Sequence, residues 1–276
     1  MLDIISRIEK CDTIENIALQ CHIPCNGVYV IVDKEFNFKI ISKECFSFNS
    51  KYVVMDFYSQ IINLNKSVDK KKLVTSNNYL TFFCKNFEKL TFDIIDDYYN
   101  RLGANEDGYI YKDWIKKNIF KISEKIPKNQ IVKVFFMSEV ENYINKGKEY
   151  FGKNIFSNTT IVDSKLYGSS LFLNLNSNKP FLKTLTRKTK CPSVIDLNIS
   201  LKYKYLKDIL FSFAKRGFDM LYVLENGELI KVSLKSGSLP NKSFVNAVSL
   251  VYKINNRGNL VLLDKDIIPK YNSQLN

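Results

Sequence analysis

Residues 27–41 read GVYVIVDKEFNFKII. An apolar, largely β-branched run from Val28 to Val32 meets a polar turn at Asp33-Lys34-Glu35. A second apolar run then follows from Phe36 to Ile41. That order predicts a β-hairpin close to the N-terminus, so the chain cannot be all-helical. Upstream, Ile4, Ile8, Cys11 and Ala18 recur near helical spacing and predict one helix over residues 1–20. Downstream, residues 46–63 are aromatic and β-branched and predict a further strand leading into a loop.

Three better-punctuated helices follow. Thr91 is placed to cap a helix running to Leu102, with Asp93 at its positive end and Gly103 as a left-handed stop. Asp113 opens a second, turning Trp114, Ile115, Ile119, Ile122 and Ile126 inward before Pro127. After a strand over Ile131 to Met137, Ser138-Glu139-Val140-Glu141 forms a capping box for the third, with Lys146, Lys148 and Lys153 toward its negative end.

The second half holds an extended stretch from Tyr167 to Leu175 and an irregular basic segment to Pro192. A helix from about Ser200 to Arg216 stops at Gly217. Short strands are predicted at Met220 to Leu224, Glu228 to Ser233, Val248 to Ile254 and Leu260 to Leu263. The class is therefore α+β, with mixed helices and short antiparallel strands and no doubly wound sheet. Neither a repeat nor a Pro/Gly/Ser linker is visible. A division into 1–163 and 164–276 follows from composition, with a single domain as the alternative.

Charge separates the two halves. The chain of 276 residues carries 41 basic and 28 acidic side chains, a net of +13. Residues 1–163 hold 23 basic and 21 acidic groups; residues 164–276 hold 18 and 7. From Ser164 to Ile195 there is no acid, while Lys165, Lys179, Lys183, Arg187, Lys188 and Lys190 are present. Such a segment attracts polyanions, because each phosphate it neutralises releases condensed counterions. No apolar run approaches the roughly 18 residues that span a bilayer, and the start lacks the form of a signal peptide. The six cysteines are spread out and suit a reducing compartment, so a cytoplasmic protein without membrane contact is expected.

Several enzyme classes fit badly. The single histidine, His22, leaves paired-histidine hydrolases and His-rich metal nucleases without their groups. Cys21-His22-Ile23-Pro24-Cys25 has zinc-like spacing, with Cys11 or Cys45 as further ligands, but lacks a second Cys pair. Gly217, Gly227 and Gly237 are isolated, so no phosphate-binding glycine loop or cofactor motif is formed. Asp219, Glu228 and Lys231 come nearest to a metal-nuclease trio, yet the Glu-to-Lys interval puts those side chains on opposite faces of a strand. Neither catalysis, metal nor cofactor is expected.

Two segments resemble a known family. Residues 65–83, NKSVDKKKLVTSNNYLTFF, match at Asn65-Lys66, Asp69, Lys70-Lys71-Lys72, Ser76-Asn77-Asn78-Tyr79-Leu80 and Phe82-Phe83. Residues 167–188, YGSSLFLNLNSNKPFLKTLTRK, match at Gly168-Ser169, Asn174-Leu175-Asn176, Lys179-Pro180-Phe181-Leu182 and Thr186-Arg187-Lys188. In this order they resemble the N-terminal half of the large subunit of type I-B CRISPR interference (Cascade) complexes. Ser67 stands where that pattern has proline, Thr75 where it has histidine, and Lys183-Thr184 where it has an acid and a histidine. Family members are longer, so an N-terminal portion or a shortened member is implied.

The resemblance implies a non-catalytic subunit that binds guide RNA and other Cascade subunits. It would help recognise the protospacer-adjacent motif on duplex DNA and open the duplex, while a separate helicase-nuclease cuts. The candidate nucleic-acid-binding residues are Lys70, Lys71, Lys72, Asn77, Asn78, Lys179, Lys183, Arg187, Lys188 and Lys190. The cations suit phosphates and the asparagines suit adenine or phosphate. Tyr79, Phe82, Phe172 and Phe181 serve either to stack on bases or to pack a core. Two other classes stay open: a metal-dependent nuclease with a degenerate acidic site, and a structural subunit whose basic half contacts acidic proteins.

Overall fold

The computed structural model describes residues 1–103, 106–126, 130–154, 167–168, 194–256 and 258–273. Helices α1 (Leu2–Ile8) and α2 (Ile14–Cys21) come first, then strands β1 (Val28–Val32) and β2 (Phe38–Ile41). Helices α3 (Lys43–Ser47) and α4 (Ser50–Ser59), strand β3 (Thr81–Cys84) and helices α5 (Phe92–Arg101) and α6 (Glu106–Glu124) follow. Next are strand β4 (Val132–Phe136), helix α7 (Val140–Asn154) and the two-residue strands β5 (Tyr167–Gly168) and β6 (Val194–Ile195). Helix α8 (Leu197–Lys215) and strands β7 (Met220–Val223), β8 (Leu229–Val232), β9 (Phe244–Ile254) and β10 (Leu260–Tyr271) complete the chain. The class is α+β.

The chain forms two compact units, Ile23–Asn154 and Met1–His22 with Ile155–Asn276. This differs from the contiguous division at 163: the first 22 residues fold with the C-terminal elements. Divided this way, Ile23–Asn154 carries 21 basic and 16 acidic groups, a net of +5, and the other unit carries +8. Positive charge is thus shared between the units more evenly than the halves suggested.

In the Ile23–Asn154 unit the sheet order is β2-β1-β4-β3. β1 pairs antiparallel with β2, as the hairpin predicts, but parallel with β4. The reason lies in the Val28–Val32 run, which is apolar on both faces and so suits a strand covered on both sides. Val30, Val32, Phe82, Val134 and Phe136 point to one face, where Ile95, Tyr98, Tyr99, Ile115 and Ile119 of α5 and α6 cover them. Tyr29, Ile31, Phe83 and Phe135 point to the other, against Phe46, Met55 and Tyr143 of α3, α4 and α7.

The strand expected over 46–63 is instead two helices. Ser42 Oγ accepts from Cys45 N and Asn49 Oδ1 from Tyr52 N, so two N-caps and a buried face outweigh the β-propensity of the segment. Likewise the single helix over 1–20 is two, because Thr13 caps a fresh start at Ile14. Helix α6 begins at Glu106, ahead of Asp113, and still buries Trp114, Ile115, Ile119 and Ile122. Gly147 lets α7 lie directly on α4: a Cβ there would sit 2.6 Å from the Tyr58 carbonyl oxygen.

β4 carries one charge inward. Lys133 Nζ lies 2.5 Å from Asp56 Oδ1 of α4, and both residues are buried. Phe83 and Tyr29 present ring faces to the same ammonium at 4.7 and 5.5 Å. Burial opposes that charge, but Asp56 and the Cys25 thiol offset it and hold the Lys133 pKa above the ordinary lysine value.

In the second unit the sheet β10-β9-β7-β8 is antiparallel throughout. Helix α8, capped by Asp196, buries Tyr205, Leu206, Ile209, Leu210 and Phe213 and packs on α2. The turn at Gly227 (φ +89°) approaches α1 so closely that a Cβ would meet the Arg7 carbonyl at 2.5 Å. The β9–β10 hairpin is longer than its apolar runs predict. β10 is an edge strand whose exposed Asp264, Lys265 and Asp266 continue the pairing without burial. Among the described residues no helix is long and apolar enough to cross a membrane.

Removing one partner of the Lys133–Asp56 pair leaves a buried charge, so Asp56→Ala should cost about 3–5 kcal/mol. Asp56→Leu with Lys133→Met should restore most of that loss. Urea unfolding followed by fluorescence of Trp114, the only tryptophan and part of this unit, measures both.

Candidate nucleic-acid interface

The three consecutive lysines sit on a loop that is organised from within. Asp69, 2% exposed, accepts from Leu73 N at 2.9 Å and Val74 N at 3.0 Å, and the Ser67 hydroxyl donates to it at 2.8 Å. With its carboxylate turned inward, Asp69 closes the loop and leaves Lys70, Lys71 and Lys72 exposed. Lys72 adopts φ +57°, and its Nζ reaches Asn65 Oδ1 at 3.2 Å. Lys70 N donates to Asp97 Oδ2 of α5 at 2.9 Å, which moors the tip to a rigid helix. Lys70, Lys71 and Lys89 line a hollow of about 650 Å³ together with Asp93 and Asp97.

Asn77 and Asn78 are placed differently from expectation. Each is only 2% exposed. Asn77 Nδ2 donates to the carbonyls of Tyr58 (2.8 Å) and Gln60 (2.9 Å), and its backbone N–H to that of Ser59 (3.0 Å). It therefore satisfies carbonyls left over at the C-terminal end of α4. Asn78 Nδ2 donates to Ser59 Oγ and Asn77 Oδ1, while its own Oδ1 accepts from Leu80 N at 3.0 Å. The Tyr98 hydroxyl, from α5, reaches the Asn78 carbonyl at 2.7 Å and lies 2.7 Å from Ser76 Oγ. Both amides are committed to the fold and so are not base readers; local turn chemistry, not recognition, explains their residue types.

Phe82 is fully buried, and Tyr79 is stacked on Tyr111, so these aromatics belong to packing. Lys179, Lys183, Arg187, Lys188 and Lys190, with Phe172 and Phe181, lie outside the described residues.

A second hollow, of about 330 Å³, was not legible from the sequence. Lys66, Arg101, Lys146, Lys153 and Glu149 line it, with Asn77 and Asn78 at its base. Tyr150 fastens its two walls, accepting from Ile62 N at 3.2 Å and donating to the Lys66 carbonyl at 3.0 Å. Glu149 lies 2.6 Å from Lys153 Nζ and 3.4 Å from Lys146 Nζ; the hydrogen bond from Lys153 in particular holds its carboxyl below the usual range. Arg101 pairs with Asp97 at 2.6 Å. Partial burial lowers the pKa of Lys66. In the sequence, Lys146 and Lys153 are charges suited to a helix C-terminus. The signal that marks them is their spacing around Glu149, three residues before it and four after.

The residues weighed for a nuclease are engaged separately. Asp219 Oδ1 accepts from Leu234 N, Glu228 pairs with Lys242 at 2.6 Å, and Lys231 lies over the rings of Phe213 and Phe218. Among the described residues no group of three or more His, Cys, Asp or Glu side chains is arranged to hold a metal ion. Comparison with protein-family models, curated proteins and solved structures found no match.

Asn77→Ala should destabilise the unit by about 1–3 kcal/mol, because it strands buried carbonyls at the end of α4. Urea unfolding measures this. A variant of unchanged stability that loses DNA affinity would return Asn77 to the recognition surface.

Proposed function

We propose that the chain is a non-catalytic, cytoplasmic large subunit of a type I-B CRISPR interference complex. In this role it binds duplex DNA next to the protospacer-adjacent motif and assists opening of the duplex. It also contacts guide RNA and neighbouring subunits, and cleavage falls to a separate helicase-nuclease. Guide pairing then reads most of the target, as in other RNA-guided effectors.

The observation that carries this proposal is the loop Lys66–Val74. The first of the two segments on which the family resemblance rests presents three exposed lysines, with Asp69 buried beneath them and Asp97 mooring the tip. Exposed lysines on a fixed loop suit contact with phosphates, which sets position on a duplex and not sequence. The buried amides of Asn77 and Asn78 are committed between the end of α4 and the start of β3. Base-edge recognition then falls to residues other than these two, and the acid-free segment of the second half supplies further phosphate contacts.

The test is titration of the purified chain into labelled duplex DNA at two salt concentrations. One variant changes Lys70, Lys71 and Lys72 to alanine; another changes Lys179, Lys183, Arg187, Lys188 and Lys190. Wild-type affinity should fall steeply with salt, and each variant should flatten the slope by about 0.9 per phosphate contact removed. If the chain does not bind duplex DNA, or binds acidic proteins that DNA cannot displace, the proposal fails.

A further inference from the structure

The second hollow has a chemistry of its own. Its lining holds four cations, Lys66, Arg101, Lys146 and Lys153, against one acid, Glu149. Glu149 pairs with Lys146 one turn before it and with Lys153 one turn after it on one face of α7. That face is firmly seated, because Gly147 brings the helix against the α4 backbone and Tyr150 ties it to the Lys66 carbonyl. Lys146 and Lys153 are therefore gathered on a rigid frame and share the Glu149 carboxylate, while Arg101 is paired with Asp97.

The geometry points to this hollow as a phosphodiester-binding site, in which the Glu149 carboxylate holds the two lysines where a backbone phosphate would. This rests on the reading of the chain as a nucleic-acid-binding subunit, and it extends that contact from the lysine loop to α7. The groups present suit a phosphate and not a base. Asn77 and Asn78 have their amides committed beneath the hollow, so no base edge is read there. The Tyr79 ring is stacked on Tyr111, with centroids 6.2 Å apart, and Lys146 Nζ stands 5.2 Å over it, so the ring is engaged by neighbours of its own. What the hollow offers is ammonium and guanidinium groups. Lys66, partly stripped of water, gains more from an anion than a fully hydrated lysine does. An incoming phosphate brings an anion to Lys146 and Lys153 in competition with Glu149.

The arrangement allows a gain-of-affinity test, which misfolding does not imitate. Glu149 is about half exposed, so Glu149→Gln leaves the fold intact while removing the competing charge. The full chain, Glu149→Gln, and the pair Lys146→Ala with Lys153→Ala are titrated into duplex DNA and into single-stranded RNA at two salt concentrations. Thermal melts check that each variant is folded. Glu149→Gln should tighten binding about two- to five-fold at low salt, in the range of a partly exposed ion pair. The lysine pair should weaken binding and lower the salt slope by about 0.9 per lost contact on duplex, or about 0.7 on a single strand. The nucleic acid whose binding moves identifies the source of the phosphate. If both variants match wild type on both nucleic acids while the Lys70–Lys72 variant weakens them, the hollow is not a phosphate site and the broader proposal stands. If wild type binds neither nucleic acid, both fall together.

Discussion

The hydrogen bonds of Asn77 and Asn78 are the constraint on which the basic surface of the Ile23–Asn154 unit depends. Helix α4 ends at Ser59 with carbonyls that no further helical turn can satisfy, and Asn77 satisfies those of Tyr58, Ser59 and Gln60. Asn78 fixes the path into β3 through Leu80 N, and Tyr98 brings α5 onto the same knot. The elements that carry exposed charge in this region adjoin it. The lysine loop precedes the knot, α5 moors the loop tip, and α7 is attached through Tyr143, whose hydroxyl reaches the Leu80 and Phe136 carbonyls. Polar residues that resemble a recognition motif are here the frame that aims the lysines.

A second polar commitment joins the same helix to the interior of the sheet. The Lys133–Asp56 pair places opposite charges between β4 and α4. A buried ion pair adds little to stability against an apolar replacement of similar shape, but it penalises any packing that separates its partners. With α4 set by this pair on one side and by the asparagine knot at its end, the start of the loop has a fixed origin. A surface that binds a polyanion by position benefits from such a frame, because lysines already in place lose less freedom on binding.

Much of this architecture was legible in residue patterns, and the exceptions have physical reasons. The hairpin of Gly27–Ile41, the helix stops at Gly103 and Gly217 and the polar start of α7 are local signals, and each element formed near where it was expected, although Ser138 Oγ accepts from the Asn142 side chain. Residues 46–63 misled because aromatic and β-branched side chains suit a strand in isolation, whereas Ser42 and Asn49 caps and burial of Phe46 and Met55 made helices. The parallel pairing of β1 with β4 joins residues about a hundred positions apart, which no local pattern encodes. The same holds for the site. Three consecutive lysines were visible, but the partners of Asn77 lie seventeen and nineteen residues back. The hollow draws Lys66, Arg101, Lys146 and Lys153 from three separate segments. Charge by halves also overstated the contrast, since the first 22 residues belong with the C-terminal unit.

Amide hydrogen exchange across residues 66–83 and 140–154, with and without duplex DNA, separates frame from contact surface most directly. If the asparagines are scaffold, amides at Asn77, Leu80 and Phe83 exchange slowly in the free protein and change little on binding, because their acceptors are internal. New protection then appears at Lys70–Lys72 and along α7. Rapid exchange at residues 76–80 in the free protein, slowed only when DNA is added, would contradict the account and make Asn77 and Asn78 part of the recognition surface.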